Sequence, residues 1–333
     1  NPRAVSKTQR RESESEREMR PRATSTLRTA YAMFWRSMLL WLRDSASRTL
    51  LTILSVAMAI LLGVGFSPYI QQGYVYEPPL PEPLNPWCPN LLDCTVPASV
   101  EGLEQLLFFL TVALGSVTGM VGARVFSGDI LVIKREGNAG VSTLLQGVIK
   151  LLVDLIGVIL YSSIFAGTWI PLGHPGEAQD WFALCISLGV AASGVGSAVS
   201  LAIDRDNSLL VATVLSLCFA AFCGVYPRYK SLNNAQWFWD LFYSRWAAEA
   251  TYTLYTAHLD EQGQDIQRGA DEIGFTIGRF GFDLGIMWVL GFAYRVIALI
   301  VLEYEVHGGV DLSKLGRRFQ HYCCFASKSK ETK

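Results

Sequence analysis

Six long apolar stretches, separated by polar segments, dominate the pattern of hydrophobic and polar positions along the chain. A helix needs about 20 apolar residues to span the hydrocarbon core of a bilayer, where its backbone groups are hydrogen-bonded within the segment. The six stretches are 50–70, 105–123, 155–172, 181–203, 208–226 and 284–302. They predict an all-α, polytopic membrane protein with six transmembrane helices, whose transmembrane domain covers residues 49–305. The fourth and fifth stretches are so close that they should form a helical hairpin.

An amphipathic helix is predicted before the first span, at residues 24–48. Apolar and aromatic residues recur there at steps of three and four, with basic residues beside them. The apolar stripe is Leu27, Tyr31, Phe34, Met38 and Trp41, and the basic residues are Arg28, Arg36 and Arg43. Such a helix lies in the membrane interface. Packing on another cytoplasmic domain is the alternative, and both can hold together.

Both ends of the chain are polar. Residues 1–23 mix Arg and Glu with Ser and Thr, too polar a composition to bury a core, and predict a flexible cytoplasmic linker. Residues 306–333 predict a basic cytoplasmic tail. The chain begins at Asn1 without a signal-peptide pattern, so we expect further sequence upstream.

Composition and charge agree with a membrane protein and orient it. Hydrophobic residues make up 51% of the chain and charged residues only 17%, less than in soluble domains. The segments 1–49, 124–150, 203–207 and 303–333 hold 22 of the 28 Lys and Arg residues. Because short basic loops stay in the cytoplasm, this distribution predicts a multi-pass protein with both termini cytoplasmic.

Recognisable catalytic chemistry is missing from the sequence. It contains no G-x-x-x-x-G-K-[ST] phosphate loop, no H-E-x-x-H and no C-x-x-C, and its four histidines lie in different segments. We therefore expect no catalytic residues, no cofactor or metal site and no nucleic-acid partner for this chain. A channel or a structural membrane protein remains an alternative to a transporter.

Two charges fall in or beside the predicted spans, Asp154 and Arg295. A charge in hydrocarbon is costly and usually has a partner. Asp154 follows Lys150 by four residues, which favours an ion pair on one helix face near the interface. Arg295 lies about 12 Å of helix rise from the inner end and can snorkel towards it. These structural roles are favoured over ion translocation.

The predicted outer segments contain two further patterns. Cys88 and Cys94 lie in a proline-rich loop, where a disulfide is an option if the loop is extracellular, and two free thiols are the other. The last outer loop carries the aromatic residues Trp237, Phe238, Trp239, Phe242 and Trp246, which suit a membrane interface. Within the spans, small residues recur at a spacing of four and predict close helix packing. They are Gly115 and Gly119, Ala192 and Gly196, and Gly281 and Gly285.

The segment between the second and third spans carries a motif, R-E-x-x-x-G-x-S, with a Lys and an Asp further on. It consists of Arg135, Glu136, Gly140, Ser142, Lys150 and Asp154. It resembles the first cytoplasmic loop of the G subfamily of ATP-binding cassette (ABC) transporters, especially the plant-type half-transporters. The resemblance covers roughly residues 26–304.

Three other stretches resemble the same family, in the same order along the chain. Arg43-Asp44 is similar to the end of its connecting helix, which here also contains Arg36. Tyr243-x-x-Trp246-Ala247-x-Glu249-Ala250 resembles the Y-x-x-W-A-x-E-A stretch of its last outer loop. Gly281-Phe282-Asp283 resembles the G-Y-D before its final helix, with Phe282 in place of the usual Tyr.

The resemblance implies a half-transporter that pairs with a second, identical or related copy in a plasma membrane. ATP and Mg would act in a nucleotide-binding domain upstream, and the substrate would be a hydrophobic or amphipathic small molecule such as a lipid or a sterol. Residues 125–150 would form a coupling loop that relays motion, with an ordinary solvated loop as the alternative. Residues 227–283 would form an outer lid, with simple interfacial anchoring as the alternative.

Overall fold

The protein is built from α-helices in the described part of the chain. The computed structural model describes residues 26–72, 100–127, 129–172, 176–203, 207–260, 270–271 and 273–306. These residues form ten α-helices and two short 3₁₀ turns, and none of them lies in a strand. The helices are α1 Thr26–Arg43, α2 Ser45–Gln72, α3 Val100–Ala123, α4 Ile130–Asn138, α5 Thr143–Trp169, α6 Ala178–Val199, α7 Ser208–Ala220, α8 Gln236–Trp239, α9 Tyr243–Asp260 and α10 Phe280–Val306. The predicted all-α polytopic fold is confirmed.

Five helices of the described chain are long and apolar enough to cross a membrane. Their apolar segments are Ser45–Phe66, Gln105–Ala123, Thr143–Leu172, Ala178–Val199 and Phe280–Val306. The amphipathic helix predicted before the first span is α1, and the single residue Asp44 separates it from α2. The predicted linker 1–23, the basic tail 306–333 beyond Val306, and Cys88 with Cys94 lie outside the described residues.

The fifth predicted span, 208–226, is shorter in the structure than the hydrophobic pattern suggests. Helix α7 ends at Ala220 after 13 residues. Gly224 then takes a positive φ of 82°, and its carbonyl oxygen accepts a hydrogen bond from the Tyr229 N–H at 2.8 Å. The chain turns back although the apolar residues continue to Val225. A prediction from hydropathy alone therefore placed the end of this helix too late.

Helix α6 lies at the centre of the bundle, packed against α3, α5 and α10. Most residues of α3 and α6 are buried, whereas most residues of α2 and α10 are at least partly accessible. Trp169 and Trp181 are fully buried, with ring centroids 6.2 Å apart, and Tyr255 of α9 packs edge-on against Trp181 at 5.2 Å. These aromatic contacts join the end of the bundle at Trp169 and Trp181 to α9.

Small residues bring α3 and α6 into close contact. A Cβ atom built at Gly196 would lie 2.3 Å from the Gly119 carbonyl oxygen, and one at Gly122 would lie 2.1 Å from the Ser193 carbonyl oxygen. The packing role predicted for Gly119 and Gly196 is thus confirmed. No neighbouring atom lies within 4 Å of a Cβ at Gly281 or Gly285, so the prediction of close packing is wrong for this pair within the described chain.

Replacing Gly196 by Ala should destabilise the bundle, because the new methyl group would overlap with backbone atoms of α3. Overpacking of this kind costs about 1–3 kcal/mol. Gly285→Ala is the matched control in an open helical position, where Ala should be neutral or stabilise by up to about 1 kcal/mol. The measurement is the midpoint of thermal unfolding of both variants in one detergent. Equal midpoints would contradict close packing at Gly196.

Candidate coupling site and buried charges

Helices α4 and α5 form a tight elbow at Gly140 and Ser142. Gly140 has a φ of +91°, and its N–H donates to the Gly137 carbonyl oxygen at 2.9 Å. The Val141 N–H donates to the Glu136 carbonyl oxygen at 3.1 Å, which completes a Schellman motif at the end of α4. Ser142 then caps α5 by accepting a hydrogen bond from the Leu145 N–H. In this motif Gly140 ends one helix and Ser142 starts the next.

A residue without a Cβ atom at position 140 can serve either a tight turn or a close approach between backbones, and the described structure supports the tight turn. No neighbouring atom lies within 4 Å of a Cβ built at this residue, so the position has room for a side chain. The requirement for glycine comes from the left-handed backbone conformation, which other residues adopt at a cost of about 1–2 kcal/mol.

An ion pair links the elbow to α1. Arg36 Nη1 of α1 donates to Glu136 Oε1 of α4. Both side chains are at least partly exposed, and surface pairs of this kind contribute only about 0–1 kcal/mol. Among Arg28, Arg36 and Arg43 of α1, Arg36 makes this pair. The contact therefore positions α1 against α4 more than it stabilises the fold.

The same elbow contacts the C-terminal end of α10. The Thr143 hydroxyl donates to Glu303 Oε2, and Lys134 Nζ lies 3.8 Å from Glu305 Oε1. Sequence reasoning missed both glutamates. The available signal was their position at the end of the last apolar stretch, on a side of the protein where basic residues prevail. Three separate elements, α1, the α4–α5 elbow and α10, thus meet at one end of the bundle.

Lys150 and Asp154 do not pair with each other, so the predicted helical ion pair is wrong. Lys150 Nζ pairs with Asp129 Oδ2 at the start of α4, and Asp154 Oδ2 lies 3.6 Å from Arg295 Nη2. Asp154 is 5% exposed and belongs to the face of α5 that meets α6 and α10. The long, partly buried side chain of Lys150 is free to reach the loop before α4.

Arg295 is buried among three helices instead of snorkelling to the interface as predicted. It is 5% exposed, and Nη1 donates to the Val190 carbonyl oxygen at 2.7 Å and to the Gly291 carbonyl oxygen at 3.1 Å. Nη2 donates to the Ser193 hydroxyl at 2.6 Å. With Asp154 3.6 Å away, Arg295 links α10 to both α5 and α6. A desolvated cation is held here because backbone, hydroxyl and carboxylate oxygens surround it.

A second buried charge cluster lies at the other end of the bundle, around Arg245. Nη1 of Arg245 lies 2.5 Å from Glu249 Oε2, and Nε lies 3.3 Å from Asp240 Oδ1. The guanidinium stacks over the rings of Tyr229 at 4.4 Å and Trp246 at 4.1 Å. Sequence reasoning singled out Glu249 and Trp246 but missed Arg245, although its i,i+4 spacing to Glu249 is a usable signal.

Tyr229 completes this cluster outside the spans. Burial raises the pKa of its hydroxyl above the ordinary value, and the nearby Arg245 partly opposes this shift. The hydroxyl stays protonated and donates to Asp240 Oδ1 at 3.0 Å. Glu249 Oε1 also accepts a hydrogen bond from the Thr276 N–H at 2.6 Å, so the cluster ties α9 to the segment before α10.

The predicted lid residues come together in part. Trp246 packs edge-on against Phe282 with ring centroids 6.0 Å apart, and buried Tyr243 stacks on Phe219 of α7 at 5.4 Å. Asp283 is fully buried, and neither of its carboxylate oxygens has a hydrogen-bond partner among the described residues. In the same part of the chain, no atom lies within 4 Å of a Cβ built at Gly281. Arg43 and Arg135 are exposed on the surfaces of α1 and α4.

The aromatic residues of the last outer loop pack on the turn after α7. Phe242 stacks on Phe222 at 4.1 Å, and Phe238 and Trp239 meet Phe222 edge-on at 5.7 and 5.3 Å. Trp237 is 66% exposed. Most of the predicted aromatic band is therefore part of a packed cluster, while Trp237 projects outward.

Removing one partner of the Asp154–Arg295 pair should lower the stability of the protein more than removing both partners. A single change, Asp154→Leu or Arg295→Met, leaves a charge buried without its partner and should cost about 3–5 kcal/mol. The double variant places two apolar side chains together and should recover a large part of this loss. Thermal unfolding of the four proteins in one detergent measures the coupling. Strictly additive effects would show that the two charges do not interact.

Comparison with known proteins identifies the family. Residues 28–255, more than half of the chain, match the ABC-2 type transporter family (ABC2_membrane). A comparison with curated proteins found no match. The matched range runs from α1 through most of α9 and includes the α4–α5 elbow and Arg245. This match decides against the channel or structural protein left open by the sequence. The chain belongs to the ABC-2 type transporter family and is an integral membrane protein, the transmembrane part of an ABC transporter.

Proposed function

We propose that this chain is the membrane domain of a plant-type half-transporter of the G subfamily. It moves a hydrophobic or amphipathic substrate, such as a lipid or a sterol, with energy from ATP hydrolysis in an attached nucleotide-binding domain. That domain would bind ATP and Mg. The proposal is supported by the family match and by the position of the R-E-x-x-x-G-x-S motif at the elbow between α4 and α5.

The observation that carries the proposal is the meeting of α1, the elbow and α10 at one end of the bundle. Arg36–Glu136 joins the elbow to α1, and Thr143–Glu303 joins it to α10. The elbow continues directly into the span α5, so a displacement of α4 is passed to three membrane-linked helices at once. An attached domain that moves α4 can therefore move the bundle.

The surface of α4 suits contact with another domain. Leu131 is 75% exposed and Val132 38% exposed, whereas Ile133 is buried against the bundle. Arg135 lies exposed on the same short helix. An apolar surface with a cation beside it is typical of a protein contact. In this proposal the nucleotide-binding domain covers Leu131 and Val132.

The remaining parts of the proposal concern assembly and orientation. A second copy, identical or related, would complete the substrate path, since a half-transporter provides only one wall of it. The distribution of basic residues favours cytoplasmic termini and a cytoplasmic elbow, which is the side on which ATP is available. The plasma membrane is the proposed location. The segment 227–283, with the Arg245 cluster, would cover the outer end of the path.

Reversing one charge of the Arg36–Glu136 pair should weaken coupling without preventing folding. Arg36→Glu or Glu136→Arg places like charges together, and we expect transport per ATP hydrolysed to fall about twofold to fivefold, in line with a surface pair of at most about 1 kcal/mol. The double reversal, Arg36→Glu with Glu136→Arg, should restore most of the ratio. The measurement uses the full-length protein in reconstituted vesicles. A double variant as poor as either single variant would contradict the proposed role of the pair.

Coupling through the elbow should also depend on the positive φ at Gly140, and not on the absence of a side chain there. Gly140→Val introduces a β-branched residue at a positive φ and should lower transport per ATP hydrolysed while membrane insertion persists. Gly140→Asn is the matched control, because Asn adopts this conformation far more readily. The same vesicle assay compares both variants. Equal losses in the two variants would indicate that added volume, and not the turn geometry, is responsible.

A further inference from the structure

The N-terminal end of α2 has an open groove, lined by one arginine, three hydroxyl side chains and one isoleucine, directly beside an exposed apolar surface. A cavity of about 270 Å³ is lined by Ser45, Arg48, Thr49, Thr52 and Ile53. Ser45 is the first residue of the apolar segment Ser45–Phe66, so Arg48 lies about 4.5 Å of helix rise from its end. A cation at this depth is at the level of the lipid headgroups.

Within the described residues, Arg48 has only uncharged partners. Nη2 donates to the Leu42 carbonyl oxygen, and the guanidinium lies 5.1 Å from the centre of the Trp41 ring. Nε is buried and has no hydrogen-bond partner in this part of the chain. Arg36, Arg245 and Arg295, in contrast, each lie within 4 Å of a carboxylate. Arg48 thus retains hydrogen-bonding capacity and has no carboxylate within 4 Å among the residues that the structure describes.

A second arginine adds positive charge nearby. Arg124 of the segment after α3 donates through Nη1 to the hydroxyl of Ser47, the neighbour of Arg48. The carboxylate of Asp44 belongs to the same junction, directly before α2. Two cations and one anion give this group one net positive charge. A single negative charge would balance it.

The groove continues along α2 as an apolar surface that suits acyl chains. Ile53 is 60% exposed, and Leu61 and Val64 are 67% and 61% exposed further along the helix. A guanidinium and hydroxyl groups are the usual ligands of a phosphate oxygen. The hydroxyls of Ser45 and Thr52 make no hydrogen bond within the described part of the chain, whereas Thr49 already donates to the Ser45 carbonyl oxygen.

We propose that this groove is a binding site for the headgroup of an acidic glycerophospholipid. Arg48 holds the phosphate, Ser45 and Thr52 donate to it, and the acyl chains lie along Ile53, Leu61 and Val64. The bound lipid neutralises the excess charge and fixes the junction between α1 and α2. Acidic lipids are concentrated in the cytoplasmic leaflet, where they attract basic residues at the membrane surface.

Native mass spectrometry of the purified full-length protein tests the site. The protein is released from mixed micelles that contain equal amounts of phosphatidylserine and phosphatidylcholine. We expect preferential retention of phosphatidylserine, which Arg48→Gln should reduce about fivefold, because it removes the guanidinium that binds the phosphate in the groove. Arg43→Gln is the matched control, because it removes an exposed arginine from the same region without touching the groove. Its phosphatidylserine retention should equal that of the unchanged protein.

Two further experiments distinguish binding of the lipid from binding of a free phosphate group, and provide a second variant of the groove. Soluble glycerophosphoserine should not displace the lipid, because it lacks the acyl chains that contact α2. If Arg48→Gln is not recovered as folded protein, Ser45→Ala with Thr52→Val provides the same test and should also reduce retention. Equal retention in Arg48→Gln and Arg43→Gln, no preference over phosphatidylcholine, or displacement by glycerophosphoserine would each overturn the proposal.

Discussion

The arrangement of the bundle depends on one desolvated cation, Arg295. In hydrocarbon, a guanidinium without partners would be driven out of the membrane interior or would exclude close helix packing. Here Val190 and Ser193 of α6, Gly291 of its own helix and Asp154 of α5 surround it. Because these oxygens come from three helices, the charge is accommodated only when all three are assembled. The interaction therefore determines how α10 packs against α5 and α6, and it also contributes to the stability of the bundle.

The same condition explains why small residues are concentrated near α6. A Cβ atom at Gly194 would lie 2.6 Å from the Gly291 carbonyl oxygen and 3.2 Å from Arg295 Nη1. Side chains at this position would separate α6 from α10 and withdraw the Val190 carbonyl oxygen from the guanidinium. Close packing and charge accommodation are thus parts of one arrangement. Further polar contacts lie at both ends of α10. Glu303 accepts a hydrogen bond from Thr143 of the elbow, and Thr276, before α10, donates to Glu249 of the Arg245 cluster.

Sequence reasoning succeeded where a single local rule determines the structure. Hydrocarbon thickness fixes the length of a span, so the long apolar runs were identified. The cap of α5 at Ser142 was not predicted, although serine is a usual signal for a helix start. Sequence reasoning failed where partners are distant in sequence. The local spacing suggested Lys150 as the partner of Asp154, yet only the folded bundle brings Arg295 to that carboxylate. The early end of α7 was missed because the turn at Gly224 is hidden within a continuous apolar run.

The shortness of α7 has a consequence for the surrounding lipid. Thirteen residues rise about 20 Å, whereas a hydrocarbon core is about 30 Å thick. The turn that follows would otherwise expose backbone groups to acyl chains, and the stacked rings of Phe222 and Phe242 provide apolar cover beside it. Lipids next to this helix face a hydrophobic mismatch, which a bilayer relieves by thinning locally. The protein should therefore favour short or disordered acyl chains on one side, and the local membrane thickness becomes a variable that can influence its conformation.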